Sequence, residues 1–461
     1  MQLYEFRRGA EPLYEQLYRA LRQDILSGVI PGGQKLPSRR AYAERLGLSE
    51  NTVDAAYTQL LAEGYIRAKE RSGYYVEALP DAPGAPAPAP VPGPETRAQL
   101  APPPHSAELF PFSVWARLMR SVLLDGGERL LSPIPGQGLY ALREAICTCV
   151  LRERGIAARP EQVLVGAGAE ACYLTLLQLF GRERVYALEN PGHRKIARVY
   201  AAFGAEITPI GMDEEGVLPE ALAKSGASVL HLSPSHHYPT GVVTPIARRQ
   251  ALMRWLGEDE RRYLIEDDYD SEFRFSGLPI PSMQSMDRTG RVVYMNTFSK
   301  TITPALRISY MILPPGLLPL WQARLGFSSC AVASFEQLTL TRFLTGGYYE
   351  RHLNRMKKHY RQLRGALLSF LAAEPMKSVC TPVQCGAGLH FVLRFDENLP
   401  DGALLRAIEA SGLQLELLRD FYIGAPGPDA GRCAVLGYAD TDFPALRAGL
   451  LRLAQVLRLE F

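Results

Sequence analysis

Between Leu79 and Ser106 the chain runs through PDAPGAPAPAPVPGPETRAQLAPPPH, with proline at nearly every second position of the first half. Each proline fixes φ and removes a backbone donor, so this stretch can be neither helix interior nor sheet core. It is expected to be an extended, semi-rigid spacer rising roughly 3 Å per residue. Whatever folds must therefore fold on either side of it: a head of residues 1–78, a linker of 79–106 and a body of 107–461. A length of 461 residues suits two or three domains, and 47% apolar with 21% charged residues is a globular balance. A net charge of +3 gives no strong overall field, so any nucleic-acid contact has to be a local patch. Seven scattered cysteines with no C-x-x-C pair fit a reducing cytosol better than a disulfide frame or a structural zinc. The N-terminus carries Glu5, Arg7, Arg8 and Glu11 where a signal peptide would be apolar. No uncharged apolar run approaches the roughly 18 residues of a membrane span, so a cytoplasmic protein is expected, with no metal and no membrane partner.

In the head, Leu13, Leu17, Ala20, Leu21 and Ile25 are spaced for one apolar helix face that ends before Gly28 and Pro31. Ser38 can cap a short helix through Leu46, Gly47 supplies a turn, and Ser49 can cap a helix reaching about Glu63. Its buried side is expected to be Val53, Ala56, Tyr57, Leu60 and Leu61. Tyr65–Ala68 and Tyr74–Val76 are short β runs joined by Lys69-Glu70-Arg71-Ser72-Gly73, a hairpin. Helix, helix, turn, helix, hairpin is the order of a winged helix-turn-helix. Arg39 and Arg40 after the cap, with Lys69 and Arg71 in the wing, would set cations on both sides of the second capped helix, where phosphates of double-stranded DNA pass. Ser49, Asn51 and Thr52 in its first turn can reach phosphates or base edges, Ser38 caps the helix before it, and Gly73 allows close approach. Lysines and arginines barely outnumber acids here, so the order of elements carries this reading, not the charge count.

The body alternates β-rich runs (163–165, 185–188, 206–210, 228–232, 263–266, 291–295) with amphipathic stretches, which predicts an α/β fold around a mostly parallel sheet. From about 335 to 373 the pattern is helical, and the end looks like a small α+β subdomain spanning about 335–461. Lys300, in Thr297-Phe298-Ser299-Lys300 at the end of an apolar run, has small hydroxyls nearby and Arg307 seven residues on. Those groups suit a phosphate-bearing aldehyde captured by a lysine amine. Asp267 follows another apolar run and could pair with a protonated pyridine nitrogen, while Tyr269 could reach a phenolic oxygen. Gly166-Ala167-Gly168-Ala169 opens a helix whose backbone N–H groups could meet a phosphate beside Thr297, Ser299 and Arg307. Singly these are weak; in this order they describe a pyridoxal 5'-phosphate site.

The head pattern Leu36-Pro37-Ser38-Arg39-Arg40…Leu46-Gly47-Leu48-Ser49-Glu50-Asn51-Thr52-Val53…Ser72-Gly73-Tyr74-Tyr75-Val76 resembles a GntR-type DNA-binding domain, in which Arg40 matches a phosphate-contacting arginine. Glu50 and Asp54 stand where many members carry basic residues. The body resembles fold-type I pyridoxal-phosphate enzymes of the aspartate-aminotransferase-like class. That resemblance places a ring at His193 against the cofactor and Tyr238, before Pro239-Thr240-Gly241, where asparagine is usual. It makes Arg432 the arginine that grips a substrate carboxylate and implies a head-to-tail homodimer. Together the two halves resemble the MocR branch of GntR regulators, close to its GABA-sensing members, where Arg194-Lys195 replaces two arginines. The resemblance implies a DNA-binding transcriptional regulator, acting on an operator with repeated half-sites. It would hold the cofactor on Lys300 and sense pyridoxal phosphate itself or an amino compound anchored by Arg432 and Lys195. A working aminotransferase with a DNA-binding appendage is the alternative.

Overall fold

A computed structural model describes residues 4, 6, 11–70, 72–78, 108–275, 277, 280–400 and 402–460. The expected linker lies outside the described residues, as does Arg71. The chain divides into two compact units, Met1–Leu100 and Ala101–Phe461.

The first unit is built from α1 (Leu13–Leu26), α2 (Arg39–Leu46), α3 (Glu50–Ala62), β1 (Ile66–Lys69) and β2 (Gly73–Val76). Ser38 Oγ accepts from the Ala41 N–H at 3.2 Å and Ser49 Oγ from the Thr52 N–H at 3.1 Å, so both predicted caps start their helices. Gly47 ends α2 at φ 65°, a left-handed conformation that a side chain would strain. Leu17, Leu21, Val53, Ala56, Tyr57 and Leu60 are fully buried and form the core with Ile66 and Val76. Leu61 departs from its predicted place: it is 38% exposed, because Leu60 already fills the inward position of that turn. β1 and β2 pair antiparallel with Lys69 opposite Gly73, the expected wing.

The second unit contains α4 (Phe112–Gly126), α5 (Tyr140–Cys149), β3 (Val163–Gly166), α6 (Ala169–Phe180), β4 (Val185–Asn190), α7 (Arg194–Ala202), β5 (Glu206–Asp213), β6 (Gly216–Val217), α8 (Pro219–Lys224), β7 (Val229–Leu232), α9 (Ile246–Gly257), β8 (Tyr263–Asp267), β9 (Val292–Thr297) and β10 (Ser309–Ile312). It continues through α10 (Leu318–Leu325), α11 (Ser334–Thr345), α12 (Tyr348–Leu371), β11 (Cys380–Val383), β12 (His390–Phe395), α13 (Ala403–Ser411), β13 (Glu416–Leu417), β14 (Cys433–Gly437) and α14 (Phe443–Glu460). The large sheet has the order β3-β10-β9-β8-β7-β4-β5-β6. Pairings β5·β4, β4·β7, β7·β8 and β8·β9 are parallel, while β10 runs against both β9 and β3. β7 and β9 are buried at every position, as strands covered on both faces must be. A four-stranded antiparallel sheet, β11-β12-β14-β13, carries the C-terminal part with α13 and α14. No helix among the described residues is long and apolar enough to cross a membrane.

One ion pair holds the loop that leaves β8. Arg154, 6% exposed, donates from Nε to Asp268 Oδ2 at 2.7 Å, and from Nη2 to Ser235 Oγ at 2.8 Å. Tyr294 and Ser271 hydroxyls donate to the same Asp268 oxygen. Removing one member of a buried pair strands the other charge in a poor solvent, so Arg154→Ala should cost about 3–5 kcal/mol of unfolding free energy in urea. A loss below ~1 kcal/mol would show that the pair is incidental.

Candidate functional site

The C-terminal ends of the parallel strands open into a cavity of about 450 Å³. It is where an open α/β sheet puts ligand groups. Lys300, Asp267, Tyr269, Thr297, Ser299, Arg307, Ala169, His193, Tyr238 and Lys195 all line it. Gly168 lies directly behind, at φ +89°, and a Cβ added there would fall 2.5 Å from an Arg307 guanidinium nitrogen. Arg307 itself holds φ 49°, rare for a residue with a side chain, which turns its guanidinium across the start of α6. Thr297 Oγ1 donates to Ser299 Oγ at 2.9 Å and accepts from Ser309 Oγ at 2.8 Å, which fixes the hydroxyls beside Lys300. The helix N-terminus, two hydroxyls and a guanidinium form a cradle suited to a phosphate dianion.

Asp267, 5% exposed, is held from behind. Tyr173 donates its hydroxyl to Asp267 Oδ2 at 2.7 Å, and His231 Nε2 lies 3.5 Å from the same oxygen. His231 in turn shares a 2.8 Å hydrogen bond with the Tyr200 hydroxyl through Nδ1. Such partners orient a buried carboxylate and preserve its acceptor character toward the cavity. Neither Tyr173 nor His231 was anticipated from the sequence. Their signals are visible in retrospect: Tyr173 follows Ala169 by one helical turn, and His231 interrupts the otherwise apolar β7. His193 caps α7 by accepting from the Lys195 N–H at 3.2 Å, and its ring centre lies 5.2 Å from that of Tyr238.

Two predicted positions need correction. Arg432 does not reach the cavity, because its Nε donates to the Leu399 carbonyl at 3.1 Å from a short turn before β14. Lys195 lines the cavity but is ion-paired with Glu170, whose second oxygen lies 3.5 Å from Arg307. That pairing, chiefly the hydrogen bond from Lys195, holds the Glu170 carboxyl below its usual range. Arg194 turns outward to pair with Glu416 and stacks 4.8 Å from the Phe421 ring centre. Next to it, Asn190 Oδ1 accepts from the Ile423 N–H at 2.8 Å and the Gly192 N–H donates to the Phe421 carbonyl at 3.1 Å. The entry to α7 is thereby tied to the segment after β13.

Beneath the cavity lies a buried polar layer. His236 Nδ1 is 2.9 Å from Asp270 Oδ2, and its ring packs 4.3 Å, centre to centre, from His390. His237 Nε2 faces Glu189 Oε2 at 3.5 Å. Burial pushes Glu189 up to about 8 and His237 down to about 3, so at neutral pH both are uncharged and the contact is not a salt bridge. Because Glu189 is raised in the folded state, its contribution to stability is complete below the ordinary value of 4.5 and is lost as pH rises toward about 8. Glu189→Gln should therefore flatten the fall in thermal stability across that interval; an unchanged profile would mean the carboxyl is ionised as folded.

In the first unit, the predicted DNA-facing residues divide by what they already touch. Arg39 is ion-paired with Asp54 of α3. Ser49 and Thr52 hydroxyls hydrogen-bond each other at 2.8 Å while Ser49 caps the helix. Arg40, Asn51 and Lys69 are exposed, Lys69 ending β1 opposite Gly73 at φ +112°. Arg40 is free of ion pairs among the described residues.

The family model "Bacterial regulatory proteins, gntR family" matches residues 13–76. Over the whole chain, the sequence is 34% identical to the HTH-type transcriptional regulator YdeL of Bacillus subtilis (strain 168), covering 96% of each. It is 32% identical to the probable rhizopine catabolism regulatory protein MocR of Rhizobium meliloti, covering 95% of this chain and 92% of that one. Among solved structures, LysN, an alpha-aminoadipate aminotransferase of Thermus thermophilus, matches with a TM-score of 0.65 at 26% identity, over 76% of this chain and 89% of its own. A GntR head and an aminotransferase-like body, matched end to end by regulators of that build, place this chain in the MocR-type branch of the GntR family of transcriptional regulators.

Proposed function

We propose that the body holds pyridoxal 5'-phosphate at Lys300 and reports its state, or the arrival of an amino compound, to the DNA-binding head. The observation that carries this is the cavity itself: Lys300, the Arg307–Gly168 cradle and the buried Asp267 face one space of suitable size. The T. thermophilus structure carries a phosphopyridoxyl-leucine compound on the same fold. Pyridoxal phosphate supplies an aldehyde that takes an amine as a Schiff base. The chain's own residues do the rest. Arg307, Ser299 and the α6 N-terminus bind the phosphate, Asp267 keeps the pyridine nitrogen protonated, Tyr269 orients the phenolic oxygen, and His193 covers the ring. Asp267 acts through a fixed acceptor because Tyr173 and His231 leave it one orientation.

This site serves sensing, not turnover. Tyr238 stands at the turn before Pro239, its ring 5.0 Å from His390 and 5.4 Å from Phe421, packing across the mouth where a small amide would leave room. A slow transaminase half-reaction remains compatible with the residues present. A homodimer is part of the same reading. In the body, Phe327 is 87% exposed and Leu131 85%, on segments joined by the Pro135–Ser329 bridge, and apolar groups so displayed call for a covering surface.

In the head, Arg40, Asn51 and Lys69 are the groups left to meet DNA, with Ser38, Ser49 and Thr52 setting the helices that present them. Arg39 reaches a phosphate only by exchanging it for Asp54. Pro-rich residues 79–106 are the tether by which the body acts on the head. An effector can shift promoter binding only through different affinities for two arrangements of the dimer.

Two measurements test this. Borohydride treatment of protein incubated with pyridoxal phosphate should fix one cofactor per chain, and Lys300→Ala should abolish the fixed adduct; a mutant that still traps it has another attachment point. Arg40→Ala should weaken binding to every duplex alike and lower the slope of log affinity against log salt by about 1. Unchanged affinity would remove Arg40 from the interface.

A further inference from the structure

The cations around the cavity are already engaged, and that narrows the chemistry of the effector. With Lys300 read as the cofactor's attachment, on which the proposal below rests, only the part of the effector that projects away from it is at issue. Lys195, Lys300 and Arg307 are the cations that line the cavity among the described residues. With Lys300 on the aldehyde and Arg307 on the phosphate, Lys195 alone is left, and Glu170 holds it. Arg194, one residue away, is turned to Glu416 and Phe421, and Arg432 to the Leu399 carbonyl. The wall opposite, from the small sheet, is formed by Leu389, His390, Gly437, Ala439, Asp440 and Thr441. It has no lysine or arginine and one carboxylate. His390 adds no charge, since burial, reinforced by His236, keeps its ring neutral.

A substrate carboxylate needs a cationic fork, or at least an unshared ammonium, to leave water. Here it could take Lys195 only by displacing Glu170, and would then lie beside a carboxylate deprived of its partner. Turning the other way, it would face Asp440. Exchange on Lys195 gains one ion pair and loses another, and the repulsion is added. Hydroxyl or ammonium donors meet the opposite situation, because Glu170, Asp440 and Thr441 all offer oxygen acceptors.

We propose that the effector selected by this cavity is a primary amine without a carboxylate, whose distal end presents hydroxyl or ammonium donors. The geometry of Glu170, Asp440 and the diverted arginines excludes the amino acid of the same skeleton by repulsion, the negative element that specificity requires.

The test uses the full chain loaded with pyridoxal phosphate and two matched pairs, ethanolamine against serine and putrescine against ornithine. Affinity is read from the change in the bound cofactor's absorption and, independently, from thermal shift. The amine of each pair should bind roughly ten times more tightly than its amino acid, or better. Glu170→Gln at saturating cofactor should narrow that gap by releasing Lys195 to a carboxylate. Equal or tighter binding of the amino acids overturns the proposal. So does a loaded protein that responds to neither member of either pair, which would make the cofactor itself the signal. A chain that takes up no cofactor is a different failure, that of the Lys300 assignment, and the borohydride experiment detects it first.

Discussion

Five consecutive residues, Glu266 to Asp270, place four carboxylates in the interior within one strand end and its loop, all buried. Such a run is stable only if each charge or proton has its own partner, and each does. Glu266 accepts from the Met283 and Gln284 N–H groups at 2.8 and 2.9 Å; Asp268 takes Arg154, Tyr294 and Ser271; Asp270 takes His236. Asp267, held by Tyr173 and His231, keeps a face toward the cavity. The alternation of a strand explains the division of labour: neighbouring carboxylates point to opposite sides, and the surrounding elements are recruited to satisfy them. Helices, strands and the segment at residue 154 are thereby fixed relative to the acid that meets the ligand space.

Much of this was legible in the sequence, for reasons that can be named. Capping residues Ser38 and Ser49 act through their own next turn, so the head's helices could be placed almost to the residue. The strands ending at Gly166, Asp267 and Thr297 are apolar through most of their length because both faces are covered, and the chemistry follows at their ends. β10 was not foreseen. Four residues after a left-handed arginine carry too little pattern, and the strand exists because two neighbours leave edges for it to fill. Leu61 failed for a related reason, since apolarity alone does not say which of two adjacent leucines faces inward.

The charge pairings were the least legible part. Arg432 and Lys195 had the right type and plausible positions, but what decides their use is which acceptor is nearer in space: the Leu399 carbonyl 33 positions upstream, or Glu170 at the start of another helix. Arg39 and Asp54 repeat the lesson in the head, where a cation next to a cap turns out to be shared with the following helix. Spacing identifies candidates; three-dimensional competition among oxygen atoms assigns them.

The ties between residues 190–194 and 416–423 have a mechanical meaning. They include main-chain hydrogen bonds, Gly192 to Phe421 among them, so force passes through backbone and is not absorbed by side-chain rotation. The same short span positions His193 and Lys195 at the cavity. Any displacement of the C-terminal sheet must therefore drag the rim of the ligand space with it, as a lever drags its short arm, and filling that space must push back on the sheet by the same linkage.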